Sequence, residues 1–290
     1  MAQAQSNHDG TEYVLTLTCP EAPGIVFAVS GFVMEHGGNI SASHQFDDRL
    51  TDRFFMRVQF RLDGTNVEDL RRKFAPVARQ FAMAWQLYDV RTPTRTLLMV
   101  SRFGHCLNDL MFRTQTGTLN IEIPAIVSNH RDFEAVAEAN GIPFHHLPVT
   151  PDTKLEAEAR LLELVDGLDV DLVVLARYMQ VLSDELCGKL EGRAINIHHS
   201  FLPSFKGAKP YHHAHARGLK LVGATAHYVT AELDEGPIIE QDVVRVDHSL
   251  DPAVMTSAGR DVEAQVLARA VRWHSEHRVL LDRTHTVVFR

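Results

Sequence analysis

The sequence predicts an α/β protein in which a ferredoxin-like βαββαβ domain precedes a larger, Rossmann-like doubly wound domain. Three observations lead to this prediction. The chain has 290 residues, 45% apolar and 23% charged, which suits a globular protein of one large or two modest domains. Alternating and helical apolar spacings follow the order βαββαβ up to residue 90. Beyond residue 97, short apolar runs alternate with helical patterns, as in sheets whose parallel strands are joined by helices.

The amino-terminal domain is predicted at residues 10–91. Tyr13, Leu15 and Leu17 alternate with polar neighbours, which is typical of a half-buried strand. Pro23 favours a helix start, and Gly37 favours its end. The other elements are predicted as strands at 39–46 and 53–60, a helix at 67–81 and a strand at 85–90.

The carboxyl-terminal domain is predicted at residues 97–290, after a polar boundary segment, RTPTRT, at 91–96. The run DLVVLA at 171–176 is apolar on both faces, as in a central parallel strand that is covered on two sides. The sequence contains no Gly-x-Gly-x-x-Gly motif, so a dinucleotide site is not supported. Further strands are predicted at 97–101, 121–128 and 143–149, and helices at 103–113, 131–139, 153–166 and 252–280.

Composition argues against several classes of protein. The formal net charge is −8, whereas a nucleic-acid-binding protein would need a basic surface. Three cysteines are too few for a disulfide framework. The polar first ten residues and the short apolar runs predict neither a signal peptide nor a membrane span. We therefore expect a cytoplasmic protein with no nucleic-acid or membrane partner. The unusual feature of the composition is its 17 histidines. Imidazole can bind metals or move protons near pH 7.

Asn196 and His198 are the first candidate catalytic pair. They are two residues apart after a strand-like segment, so their side chains share one face, and His199 should point away. The carboxyl end of a parallel strand is where ligands bind in such sheets. An amide can hydrogen-bond a developing oxyanion, and an imidazole can transfer protons. The alternative is that both side chains only satisfy buried hydrogen bonds.

Asp234 is the third candidate, in a Gly-containing loop between two strand patterns. A carboxylate near His198 would raise the pKa of that imidazole and fix its tautomer. Asp-Glu-Gly by itself also indicates an ordinary turn. A metal-dependent hydrolase is a further alternative, because the cluster His212, His213 and His215 could supply ligands. Cys106 could be a nucleophile, although a packing role is favoured.

These motifs resemble those of enzymes that transfer the formyl group of 10-formyltetrahydrofolate. The matching residues are Asn196-x-His198, then LPSFKGA, then Asp234-x-Gly236-x-Ile238, with the 36-residue spacing of the glycinamide ribonucleotide formyltransferase type. The resemblance covers about residues 97–282 and implies a formyltransferase-type fold in which Asn196, His198 and Asp234 form the catalytic trio. It also implies that the segment RYMQVLS contacts the pterin and that one histidine supports the site. The residues so implied are Met179, Gln180, Leu182 and His227.

The loop SRFGHCLNDL at 101–110 departs from the transferase pattern. Transferases have a Gly/Ser-rich loop there for the acceptor's phosphate, whereas Arg102, Phe103 and His105 are bulky. The string HCLNDL and the His-His-Ser sequence are instead similar to formyltetrahydrofolate deformylases. This resemblance implies hydrolysis of 10-formyltetrahydrofolate to tetrahydrofolate and formate, serving one-carbon metabolism and purine synthesis, with Arg102 and His105 near the substrate. No metal or other cofactor is expected. Candidates to meet the folate's glutamyl tail are Arg102, Arg177 and Lys206.

Residues 12–90 resemble an ACT domain, a βαββαβ module that often binds small amino acids and pairs across subunits. The resemblance lies in CPEAPGIV, which contains Gly24, and in HGGNI, which contains Asn39. It implies that Gly24 and Asn39 contact an amino-acid effector and that the protein is a homo-oligomer. A purely structural, dimerising role is the alternative.

Two other functions stay open at this point. One is a formyltransferase with a different amine acceptor, which the filled loop at 101–110 argues against. The other is a non-catalytic folate or amino-acid sensor, which the intact set of Asn196, His198 and Asp234 argues against.

Overall fold

The structure is a computed structural model that describes residues 10–203 and 218–290. The chain divides into two compact units. The first unit runs to Thr92 and also includes Glu276–Leu280 and Val287–Arg290. The second unit comprises Pro93–Ser275 and Leu281–Thr286. The predicted limits had placed the whole carboxyl-terminal segment in the second domain, so the return of two short stretches to the first unit was not foreseen.

The first unit has the predicted βαββαβ order, and the ferredoxin-like expectation is confirmed. Its elements are β1 (Thr11–Pro20), α1 (Ile25–Glu35), β2 (Asn39–Asp48), β3 (Arg53–Leu62), α2 (Val67–Gln80) and β4 (Ala84–Asp89). The sheet order is β2-β3-β1-β4, and β1 is antiparallel to both of its neighbours. Phe32 of α1 and Trp85 of β4 both make edge-on ring contacts with Phe74 of α2. The two helices therefore cover one face of this sheet.

Arg57 of β3 explains why residues beyond 275 return to the first unit. Its guanidinium is 2% exposed and donates hydrogen bonds to the carbonyls of Glu276 and His277. Burial lowers the pKa of Arg57 to about 10, and the neighbouring Arg278 adds to this effect. The returning backbone thus supplies carbonyl acceptors to a buried cation, whose Nη2 also donates to Oε1 of Gln59 at 3.0 Å.

The second unit is an α/β sheet domain, and the Rossmann-like expectation is confirmed. Its elements up to residue 198 are β5 (Thr94–Val100), α3 (His105–Gln115), β6 (Ile121–Glu122), β7 (Ile126–Ser128), α4 (Glu134–Ala139), β8 (Phe144–His146), α5 (Lys154–Gly167), β9 (Leu172–Leu175), α6 (Asp184–Lys189) and β10 (Ala194–His198). These are followed by β11 (Leu221–Tyr228), β12 (Ile238–Arg245) and the described helix α7 (Pro252–Ser275). The last two strands, β13 (Val279–Asp282) and β14 (His285–Val288), each contain residues of both units.

The main sheet has the order β12-β11-β10-β9-β5-β7-β8, and β6 pairs with β5 outside this path. Strands β10, β9, β5, β7 and β8 pair in parallel, whereas β11 and β12 extend the sheet antiparallel. Along β5, Leu97 and Met99 face one side and Leu98 and Val100 the other, and all four are buried. Both faces of the sheet are therefore covered, as a parallel sheet requires.

Three predicted elements need correction. Thr94–Val100 is one strand, so the boundary segment at 91–96 already contains the start of β5. The strand predicted at 121–128 is two short strands, because Pro124 lies between them and cannot donate to a ladder. The helix predicted at 252–280 ends at Ser275, where His277 takes a left-handed conformation with φ 54° and the chain turns toward β13.

Among the described residues, none of the helices combines the length and the apolar character that a membrane span needs.

Candidate active site

Strand β10 places Asn196 and His198 on the same face, as predicted. It runs parallel to β9 and antiparallel to β11. In the register with β11, Asn196 lies opposite His227, and His198 lies opposite Thr225. Directly opposed side chains on one face are close enough to interact. The register therefore places His227 beside Asn196.

The loop at 229–237 brings Asp234 to the same place. Asp234 has φ 58°, a conformation that Asp tolerates better than most residues. At Gly236 an added Cβ would lie 1.7 Å from the Tyr228 carbonyl oxygen, so the loop passes too close for any side chain. The amide of Tyr228 donates to the carbonyl of Pro237 at 2.9 Å and closes the loop. Backbone constraints thus hold the carboxylate against β10.

His198 and Asp234 form a buried ion pair or hydrogen bond. The Nδ1 atom of His198 is 3.2 Å from Oδ1 of Asp234, and both side chains are at most 7% exposed. Burial raises the pKa of Asp234, but the interactions with the neighbouring imidazoles, the hydrogen bond from His198 first among them, outweigh it and bring the pKa well below its ordinary value. The carboxylate therefore accepts from Nδ1. Nε2 of His198 is buried without a hydrogen-bond partner among the described residues. When the ring is neutral and Nδ1 carries the proton, Nε2 carries the lone pair that can accept a proton.

His227 orients the amide of Asn196. Its Nδ1 is 2.9 Å from the Tyr228 carbonyl oxygen and must donate to it, because a carbonyl only accepts. In the neutral ring, Nε2 then accepts from Nδ2 of Asn196 at 3.2 Å. The same Nε2 lies farther from Asp234, at 3.7 Å. One N–H of the amide is therefore engaged, and the second is available to a carbonyl oxygen of a substrate.

A solvent-open cleft with a cavity volume of about 200 Å³ contains this constellation. The predicted site residues that line it are Asn196, His198, Asp234, His227, Met179, Gln180 and Leu182. Arg102 and His105 are not among the described residues that line it. Arg102 is exposed, and His105 contacts Glu263 instead. Lys206 and the cluster His212, His213 and His215 lie outside the described residues.

Two further side chains of the cleft lie outside the predicted catalytic trio. The expectation that His199 points away is wrong, because His199 also lines the cleft, with its ring centroid 5.2 Å from that of His198. Burial, together with Arg177 and His198, lowers the pKa of His199 to about 4. Arg177 lines the cleft as well. It had been considered only as one of three cations for the folate tail.

Glu263 of α7 was missed altogether. It is 1% exposed, and its Oε2 lies 2.8 Å from Nε2 of His105 and 3.3 Å from Nε of Arg177. A signal existed, because Glu263 has helical spacing with the buried Val266 and Leu267. The neighbouring Val262, by contrast, is only half-buried. A glutamate on an apolar helix face needs a buried partner.

His105, Cys106 and Glu263 also offer donor atoms that lie within 4.8 Å of one another, as a metal would require. Two observations do not fit a cation there. The Arg177 guanidinium already lies against the Glu263 carboxylate. Burial, reinforced by Glu263, raises the pKa of the Cys106 thiol well above its ordinary value, which disfavours the thiolate that binds metals.

The two residues proposed to meet an effector both lie in the first unit. Gly24 precedes α1 with φ 95°, a conformation that favours glycine, and Asn39 is the first residue of β2. Both are exposed. Their role in effector binding stays a prediction.

The second unit and its Asn-His-Asp site define a formyl transferase domain. Residues 94–271 match the formyl transferase family. The glycinamide ribonucleotide transformylase 1 structure from Symbiobacterium toebii has a TM-score of 0.65 at 26% identity, covering 71% of this chain and 98% of its own. This similarity leaves part of the present chain uncovered.

Other relatives cover nearly the whole chain. A formyltetrahydrofolate deformylase of Corynebacterium sp. (strain P-1) is 55% identical, over 96% of this chain and 98% of its own length. The crystal structure of a formyltetrahydrofolate deformylase from Burkholderia mallei has a TM-score of 0.93 at 53% identity, covering 97% of this chain and 100% of that one. The chain belongs to the formyltetrahydrofolate deformylase family, which confirms the family resemblance noted in its sequence.

Proposed function

We propose that this protein hydrolyses 10-formyltetrahydrofolate to tetrahydrofolate and formate, with Asn196, His198 and Asp234 as its catalytic trio. One observation carries the assignment of roles. Asp234 accepts from Nδ1 of His198, and Nε2 of the same ring is buried in the cleft wall without a partner among the described residues. A base that is oriented on one side and open on the other is arranged to deprotonate water.

The reaction then follows from the positions of these groups. Nε2 of His198 takes a proton from water as the water oxygen bonds to the formyl carbon. The oxyanion that forms accepts the free N–H of Asn196. His198 returns its proton to the folate nitrogen as the carbon–nitrogen bond breaks, and the remaining formic acid ionises to formate. Asp234 stabilises the transient imidazolium and helps to place the water.

The loop that follows β9 supplies the folate contacts in this proposal. Met179, Gln180 and Leu182 line the cleft. The Ser101 hydroxyl accepts from the amide of Met179 at 2.9 Å and donates to Oδ1 of Asn129 at 2.8 Å. The hydrogen bond from Met179 to Ser101 connects the loop to the residue that follows β5. A mostly apolar wall with fixed polar groups suits a pterin ring.

We also propose the cofactor requirement, the cellular location and the assembly of the enzyme. The three described site residues provide acid, base and oxyanion functions, so we propose that no metal or other cofactor takes part. We propose a cytoplasmic enzyme, given its low cysteine count, that supplies formate for purine synthesis. We further propose a homo-oligomer whose amino-terminal domain binds a small amino acid near Gly24 and Asn39.

Formate release is the test. The purified protein is incubated with 10-formyltetrahydrofolate in amine-free buffer, and formate and tetrahydrofolate are measured separately. We expect one formate for each tetrahydrofolate. Consumption of the formyl group only after an amine is added would instead identify a transferase. Absence of turnover under both conditions would leave the sensor alternative.

A further inference from the structure

Arg177 is a cation buried in the wall of the cleft. It lies two residues after the end of β9, is 8% exposed, and lines the cleft together with Asn196 and His198. Its backbone has φ 67°, a conformation that favours glycine. The catalytic steps described above do not use its guanidinium. A buried charge beside reacting groups nevertheless affects every charged species that forms there.

The guanidinium lies in an ion pair with Glu263, but its buried donors are not satisfied. Nε is 3.3 Å from Oε2 of Glu263, within ion-pair distance, and His105 also contacts this oxygen. Nε and Nη1 are both buried, and neither makes a hydrogen bond among the described residues. An arginine offers five N–H donors in a planar fork, and a buried donor without an acceptor is unfavourable. Glu263 thus fixes the side chain and leaves donors for another anion.

The proposed reaction creates an anion at this place. The formyl group of the substrate is neutral, whereas the hydrolysis product is the carboxylate formate. Transfer to an amine would give a neutral formamide instead. A fixed guanidinium therefore helps hydrolysis in a way that amine transfer would not require. Carboxylates pair with arginine in a geometry that ammonium groups do not match.

We propose that Arg177, positioned by Glu263, is the product-binding residue that receives the carboxylate of formate in the catalytic cleft. The proposal rests on the deformylase function proposed above. It predicts that the cleft distinguishes formate from neutral molecules of the same size. It also gives the buried Glu263 a role, as a positioning residue for the guanidinium.

The first experiment uses the unaltered enzyme and compares formate with formamide, its neutral isostere, as inhibitors of initial rates. Because hydrogen bonds to charged groups are the stronger ones, we expect formate to inhibit at a concentration roughly 10-fold or more below that of formamide. Equal inhibition constants would overturn the proposal. Formate release is measured in the same assay. An enzyme that releases formate but treats both inhibitors alike contradicts only this inference, whereas no release contradicts the deformylase function itself.

The second experiment compares Arg177→Gln with Arg260→Gln. Both guanidinium groups lie over the ring of Phe103, at 5.7 and 5.2 Å, but Arg260 is exposed and does not line the cleft. For Arg177→Gln we expect the formate inhibition constant to rise about 10-fold to 100-fold, with kcat reduced and KM for the folate nearly unchanged. Arg260→Gln should match the unaltered enzyme.

A lower kcat with an unchanged formate inhibition constant in Arg177→Gln would show a merely structural role and overturn the proposal. Should Arg177→Gln not fold because Glu263 loses its partner, Arg177→Lys retains the charge without the planar fork. We expect Arg177→Lys to bind formate about 10-fold more weakly than the unaltered enzyme. Unaltered formate binding in this variant contradicts the proposal, and the formate–formamide comparison remains decisive in either case.

Discussion

Oδ1 of Asp234 lies 3.2 Å from Nδ1 of His198, on a loop whose path depends on a glycine two residues further on. This contact leaves the opposite nitrogen of the ring as the proton acceptor. The pKa of the carboxyl group lies well below its ordinary value, although burial by itself would raise it. The pair therefore combines a permanent anion with an imidazole of defined tautomer.

Asp234→Asn should remove most of the activity. The amide cannot stabilise an imidazolium, and it can present an N–H to Nδ1 and so favour the wrong tautomer. We expect kcat to fall by about 10³–10⁴, as replacement of the orienting carboxylate does in other His-dependent hydrolases. Steady-state formate release measures it, with the exposed neighbour Glu235→Gln as the control. Near-normal turnover in Asp234→Asn would mean that another group is the base.

Asn196→Ala should reduce kcat by about 10²–10³ while the fold is retained, because it removes one oxyanion donor. The loss should be smaller than that of Asp234→Asn. Turnover is followed together with the thermal unfolding midpoint. The control is Asn108→Ala, at an exposed position of α3. If Asn196→Ala turned over like the unaltered enzyme, the oxyanion role would be wrong.

The residues of the proposed catalytic trio could be singled out from the sequence because each carries a local signal. Asn196 and His198 share a strand face at a spacing of two, and Asp234 occupies a turn motif whose left-handed backbone Asp tolerates. The resemblance to the family motif then assigned these three residues to one site. The order of both domains also followed from apolar periodicity, since long runs of alternating or helical spacing have few alternative interpretations.

The remaining parts depend on how distant elements pack. His227 meets Asn196 through the register of two antiparallel strands, and periodicity along one strand contains no information about that register. Glu263 meets Arg177 only because α7 packs against the sheet domain. The return of Glu276–Leu280 to the first unit likewise follows from the acceptors that Arg57 needs, which no local pattern indicates.

Gly236→Ala should disable the site without touching a catalytic side chain. The added methyl carbon would lie 1.7 Å from the Tyr228 carbonyl oxygen, so the loop that holds Asp234 must move. A displacement of the order of 1 Å can cost about 10²-fold in rate, and we expect at least that loss. Gly167→Ala is the matched control, because its added carbon meets nothing within 4 Å. Comparable kcat values for the two variants would contradict the close approach at Gly236.

Removal of metal ions should leave turnover unchanged. The proposed steps use only Asn196, His198 and Asp234, and the guanidinium of Arg177 lies beside the carboxylate of the His105, Cys106 and Glu263 group. The enzyme is dialysed against a strong chelator, and its formate release is compared before dialysis, after it, and after Zn²⁺ is restored. A loss that Zn²⁺ reverses would establish a metal-dependent hydrolase instead.

His274 should make the fold less stable in mild acid. Its Nδ1 accepts from the hydroxyl of Tyr228 at 2.7 Å, and burial lowers its pKa to about 4 from the ordinary 6.5. Between these values the unfolded chain binds a proton that the folded chain does not. The stabilisation is therefore complete above pH 6.5 and is lost as the pH falls toward 4, by up to about 3 kcal/mol. Urea unfolding of the unaltered protein and His274→Gln, which keeps an acceptor for Tyr228, should show a shallower loss of stability in the variant. Parallel curves between pH 7 and 4 would mean that another group controls the acid sensitivity.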